Sequence, residues 1–164
     1  MGQTNPARLR ELAADIEMEL SCLERLELSI DQVNAAIAQE PQRSELFYEN
    51  LALKLHNFYT SCEKILQLIA TELNGGLLAG SDWHKRLLDR MATEREGRPA
   101  VLRSATAAAL REFLGFRHVV RNLYGYELDS ERVARLVEKY PHVWQHTAQD
   151  YRTFVACLQA LARE

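Results

Sequence analysis

Apolar residues recur at intervals of three and four along almost the whole chain, and no stretch alternates apolar and polar positions as a half-buried strand does. Asn5-Pro6 supplies a capping residue followed by a proline suited to a first helical position. Leu9, Leu12, Ile16, Leu20, Leu23, Leu26, Ile30, Val33 and Ile37 then form one stripe that runs out before Pro41, which predicts a long amphipathic helix. A second stripe, Phe47, Leu51, Leu55, Phe58, Cys62, Ile65 or Leu66, Ile69 and Leu73, predicts a helix over 44–73 that stops at Asn74-Gly75-Gly76. Ser81 or Asp82 caps a short helix from Trp83 to about Glu94, with Leu87, Leu88 and Met91 apolar. Pro99 opens a third long helix to about Tyr124, closed by Gly125. Asp129 or Ser130 caps another short helix to Lys139, and Pro141 starts a last one carrying Val143, Trp144, Tyr151, Phe154, Val155, Leu158 and Leu161. The pattern predicts an all-α chain: an up-and-down bundle of three to four long helices with two short ones attached.

A length of 164 residues with 47% hydrophobic content fits a single domain, 1–164, with one sizeable core, and Gly and Pro are too few for a disordered or fibrous chain. No apolar run nears the roughly 20 residues of a membrane span. The Met-Gly-Gln-Thr-Asn-Pro start lacks the basic and apolar regions of a secretory signal, so a cytoplasmic protein is expected. Cys22, Cys62 and Cys157 lie far apart in helical patterns among apolar neighbours, which favours reduced thiols over a disulfide, a metal ligand or a nucleophile.

The net charge of -3 hides an uneven distribution. From Arg98 to Tyr124 there are five arginines (Arg98, Arg103, Arg111, Arg117, Arg121), one acid (Glu112) and no lysine, so that segment is +4. Arginine in place of lysine suits bidentate recognition of phosphate or carboxylate; a solvated face has the same composition. At about 100° per residue, Phe113, Phe116, Val119, Val120 and Leu123 share a core-facing sector. Arg111, Gly115, His118 and Asn122 form a polar stripe, with Arg117, Arg121 and Tyr124 beside it. Ala107, Leu110 and Leu114 extend the polar sector with small and apolar residues. They read either as an exposed strip that packs on a partner or as residues covered by the 74–80 loop. Gly115 costs on the order of 1 kcal/mol in a helix, which points to a close approach to the backbone there.

The run Phe116-Arg117-His118-Val119-Val120-Arg121-Asn122-Leu123-Tyr124 resembles the signature region of the HEPN superfamily, specifically the HepT-like toxins. Leu55-His56-Asn57-Phe58-Tyr59-Thr60-Ser61-Cys62-Glu63-Lys64-Ile65, the Ser81–Met91 segment and Arg98-Pro99 add to the resemblance, which spans about residues 45–160. It implies a dimeric helical bundle and a metal-independent ribonuclease that needs no cofactor. The family motif is an Arg, four to six intervening residues and a His, often with a Tyr two residues on. By resemblance Arg117 matches the Arg, His118 the polar residue after it and Tyr124 the Tyr, while the usual His position holds Asn122. Asn accepts and donates hydrogen bonds but takes no proton near neutral pH. A second alignment pairs Arg111 with His118 across six residues. Either His118 substitutes as the acid/base, or catalysis has been lost.

The expected catalytic set is therefore Arg117, His118, Asn122 and Arg121, with Arg111 binding substrate RNA and Tyr124 as the modification site. Its implied partners are a second copy, RNA and a minimal nucleotidyltransferase antitoxin that transfers AMP to Tyr124. The alternative is a non-catalytic helical adaptor that binds a nucleotide or a partner protein. Without the resemblance, the Arg/His cluster reads as a solvated face or as salt bridges to acids of the first helix. His142 and His146, spaced i,i+4, lack a third ligand in sequence and read as a surface pair. Trp83-His84 either resembles a family feature or simply anchors the short helix, with Trp83 in the core, and Glu63, on a core-leaning helix, could pair with an arginine of the 98–124 segment.

Overall fold

The computed structural model describes residues 5–76, 79–95, 97–122 and 128–164; of residues 121 and 122 only the backbone is described. Helix α1 (Pro6–Gln39) begins where Asn5 Oδ1 accepts from Ala7 N, and a 3-10 turn (Pro41–Arg43) leads into α2 (Ser44–Leu73). The second helix ends at Asn74, after which Gly75 takes a φ of 76°, a conformation that glycine adopts without the steric cost a Cβ brings. Helix α3 spans Trp83–Met91, α4 Ser104–Asn122 and α5 Ser130–Leu161. Among the described residues no strand occurs, only an isolated Arg95–Arg98 bridge across a tight turn. The architecture is an all-α bundle in which α2 touches every other helix.

Three boundaries differ from the sequence expectation; in the mildest case α3 ends at Met91 rather than about Glu94, and Asp82 precedes it without a side-chain cap. Pro99 does not open a helix: Val101 and Leu102 are buried and both donate their amides to Met91 O (2.8 and 3.0 Å), while Arg103 N donates to Asp150 Oδ2 (3.0 Å). Tertiary acceptors take the amides of this segment, and the helix starts only at Ser104. Pro141 does not start a helix either; it lies inside α5. Val133, Leu136, Tyr140, Val143, Trp144 and Thr147 make an unbroken buried stripe through it, and that packing outweighs the roughly 3 kcal/mol a proline costs within a helix.

The core centres on Phe58 of α2. Phe113 of α4 and Tyr140 and Trp144 of α5 meet its ring edge-on, with centroids at 5.2, 5.0 and 6.3 Å. Tyr151 donates to Cys62 O across the same interior, and burial pushes both its phenol and the Cys62 thiol far above their ordinary pKa values. The three cysteines are free thiols. The acids of α1 turn to α2 and α5, as in Glu19–Lys64 (2.7 Å), Glu24–Arg152 (2.8 Å) and Glu27 with Trp144 Nε1 (2.8 Å). No described helix is long and apolar enough to cross a membrane.

Candidate functional site

Because α4 packs against α2, α3 and α5, its buried arc is far wider than one stripe. Ala107, Leu110 and Leu114 are all buried in the core, so the apolar strip is neither a surface for a partner nor merely covered by a loop. Arg117 falls at the same helical angle as Leu110 and Phe113, and its side chain follows them inward. Its Nε and Nη1 are shielded from solvent and have no acceptor. His118, one position on, is exposed. Arg117 and His118, about 100° apart around the helix, both border the polar cluster built from α2 and α3.

Beside Arg117 lies a polar cluster built from α2 and α3. Glu63, with only 4% of its side chain exposed, accepts from Tyr59 Oη (2.9 Å) and from Gln67 Nε2 (3.4 Å), its neighbours one turn before and after on α2. His84, in the first turn of α3 and 12% exposed, places Nδ1 2.6 Å from Glu63 Oε2. A carboxylate can only accept here, so Nδ1 is the donor of this contact, and in the one-proton form of the ring Nε2 is then the acceptor nitrogen. Burial and the Glu63 carboxylate hold the Tyr59 phenol far above its ordinary range, so it stays a donor, while the nearby Arg117 charge acts in the opposite sense. Trp83 stacks on His84 (3.7 Å between centroids), and the His84 ring meets His118 edge-on at 5.6 Å.

The sequence pointed at part of this group. Glu63 is buried as expected but pairs with His84 rather than with an arginine of the 98–124 segment. Trp83 is half-buried against the core, and the residue that matters beside it is His84. A Glu four residues after a Tyr on the core side of a helix is a legible sign of a buried polar network; its partner from α3 has no spacing signal at all.

The arginine-rich segment divides by use. Arg98 is buried and donates to Asn74 Oδ1 and to the carbonyls of Arg90, Thr93 and Pro99, stitching the end of α2 to the turn before α4. Burial, with Arg95 and Arg90 nearby, draws its pKa down. Arg103 clamps Asp150 (2.6 Å) and reaches His146. These two are structural. Arg111 pairs with Asp89 of α3 and, with Arg132, Arg135 and Lys139 of α5, lines an open, mainly basic groove of about 380 Å³, whose one acid, Glu112, pairs with Lys139 (2.8 Å). The Arg132 guanidinium lies over Gly115; a Cβ there would meet its Nη2 at 3.7 Å, an ordinary contact, so the close approach inferred from this glycine is absent. Arg121 and Asn122 belong to the last turn of α4, but their side chains, and Tyr124 entirely, lie outside the described residues. The His142 and His146 rings meet edge-on at 4.2 Å, and no group of three metal-ligating side chains gathers among the described residues.

The chain matches no curated protein and no solved structure. A family model described as HepT-like protein matches residues 50–158, a stretch running from the Tyr59–Glu63 pair through His84 and the Arg117-His118 region to the end of the core-forming part of α5. By that match over most of its length, the chain belongs to the HepT-like family of the HEPN superfamily.

Proposed function

We propose that this protein is the RNA-cleaving component of a toxin–antitoxin pair, acting without a metal ion. The observation that carries the reading is Arg117: a guanidinium with two shielded, acceptor-less nitrogens, one residue from an exposed histidine, in a HepT-like chain. Buried cationic donors without an acceptor are costly in a resting fold, and the oxygens of a phosphodiester complete them. Cleavage by the RNA's own 2′-hydroxyl needs proton transfer and charge stabilisation at phosphorus, which imidazole and guanidinium supply. Arg111 and the basic groove beside it suit the RNA backbone, and a second copy of the chain would give the strand a groove with two walls.

The purified protein is expected to cut RNA in excess EDTA, leaving 2′,3′-cyclic phosphate ends, with His118→Ala reducing the rate about 10²-fold or more. Cleavage that requires a divalent ion would refute the mechanism. RNA binding without cleavage would favour the adaptor reading, for which Asn122 at the usual His position is the specific support.

Control by a partner nucleotidyltransferase is the reading that membership of the family supports. AMP on Tyr124 adds phosphate charge seven residues from Arg117 and three from Arg121, where it would compete for the donors that hold substrate. Intact-mass analysis of protein coexpressed with a minimal nucleotidyltransferase should show adenylyl additions that vanish in Tyr124→Phe. Unchanged modification of that variant would move the acceptor elsewhere.

A further inference from the structure

Asn122 leaves the family mechanism short of one proton-transfer group, and His118 alone cannot be both base and acid in a single displacement. A second imidazole, His84, has its ring centroid 5.6 Å from that of His118 and its Nδ1 2.6 Å from the buried Glu63 carboxylate. We propose that His84, held by Glu63, is the general base of RNA cleavage and His118 the general acid, so that a two-histidine pair takes over the role of the histidine this chain lacks. The inference rests on the ribonuclease reading of the same site.

The local arrangement assigns each part. Glu63 is fixed by Tyr59 and Gln67 from its own helix and accepts Nδ1–H of His84, the relation a carboxylate has to histidine in a catalytic triad. That bond orients the ring, presents Nε2 in its accepting form and faces the positive charge that appears once Nε2 is protonated. Trp83, stacked on the ring, removes its remaining rotational freedom. Glu63 is a positioning residue; His84 touches the substrate. In the step itself, Nε2 of His84 takes the proton of the 2′-hydroxyl and O2′ bonds to phosphorus. The bond from phosphorus to O5′ breaks, and protonated His118 delivers its proton to that oxygen. The products are a 2′,3′-cyclic phosphate and a 5′-hydroxyl, with one proton gained by His84 and one lost by His118, so no oxidant, metal or water enters the balance. The Arg117 donors face the charge on the nonbridging oxygens.

The titratable groups that face His84 are Glu63 from α2 and His118 from α4, with Tyr59 and Arg117 one contact further away. Cleavage of a short RNA should therefore follow a bell-shaped pH profile. His84→Ala should lose about 10²- to 10⁴-fold in kcat with KM nearly unchanged and lose the acidic limb of the bell, and added imidazole should restore part of the rate. Glu63→Gln should also lower kcat, because an amide that donates to Nδ1 drives the ring into the other tautomer; nitrogen NMR of the His84 ring in the two proteins would record that change without any substrate. Circular dichroism separates these effects from unfolding. A His84→Ala protein that cleaves at the wild-type rate, or that stays folded and inactive with no imidazole rescue, would overturn the base assignment while leaving the ribonuclease reading intact. Wild-type protein that cleaves no RNA, even where NMR finds the Nδ1–H tautomer, would overturn both.

Discussion

Arg117→Met is expected to make the protein more stable and inactive. The side chain sits in the sector of Leu110, Phe113 and Leu114, where two of its nitrogens are shielded from water with nothing to bond. Each such donor carries a desolvation penalty of about 1–3 kcal/mol. Methionine has similar length, a flexible apolar chain and no donor to satisfy. The Glu63 carboxylate keeps its three donors from Tyr59, Gln67 and His84, so no acceptor is stranded by the change. A net gain of about 1–3 kcal/mol would raise Tm by several degrees for a chain of this size. Loss of the charge that faces the phosphate should cost about 10²-fold or more in cleavage. Differential scanning calorimetry and the EDTA cleavage assay read the two effects on one sample. A Met variant that melted lower would show that the guanidinium is a structural element; one that melted higher yet cleaved RNA normally would remove Arg117 from the catalytic set. The opposite signs are the signature of a residue kept for function at the expense of stability.

The helices were legible because three- and four-residue periodicity depends only on burying one side of each segment, and α1 and α2 begin and end where their stripes and caps place them. Local punctuation misled where tertiary contacts outweighed it. Pro99 and Pro141 both look like helix starts, yet one precedes a segment tied to Met91 and Asp150 and the other lies within a continuous buried stripe. The site was half legible for a related reason. The helical wheel of α4 assumed one covered face and put Arg117 on the polar side, whereas α2, α3 and α5 all pack on this helix and two Arg117 nitrogens are shielded. Arg98 and Arg103 count toward the +4 segment, but composition cannot show that Asn74, several carbonyls and Asp150 already hold them. His84 and Glu63 are 21 residues apart on different helices, and nothing short of the fold brings them to 2.6 Å.

The same wide burial decides how a second copy can be tested. Leu114 is 1% exposed, in a core shared with Leu110 and Phe113, so Leu114→Arg places an unpaired charge in the interior. The loss of leucine packing alone is worth about 2–5 kcal/mol, and the stranded guanidinium adds to it, together a large part of the 5–15 kcal/mol that stabilises a typical domain. The expected result is a largely unfolded protein at 37 °C, seen as lost ellipticity or a melt shifted down by at least about 10 °C, and not a folded monomer. Its inactivity would then carry no information about a dimeric cleft. Ala108, on the exposed side of the same helix, provides the contrast: Ala108→Arg should melt like the wild type. If a second copy packs along the exposed face that carries Arg111, Gly115 and His118, the Ala108→Arg protein should sediment as a folded monomer with reduced cleavage. A Leu114→Arg protein that kept its helicity and its melting temperature would mean that the side chain at this position reaches solvent and would overturn the burial argument.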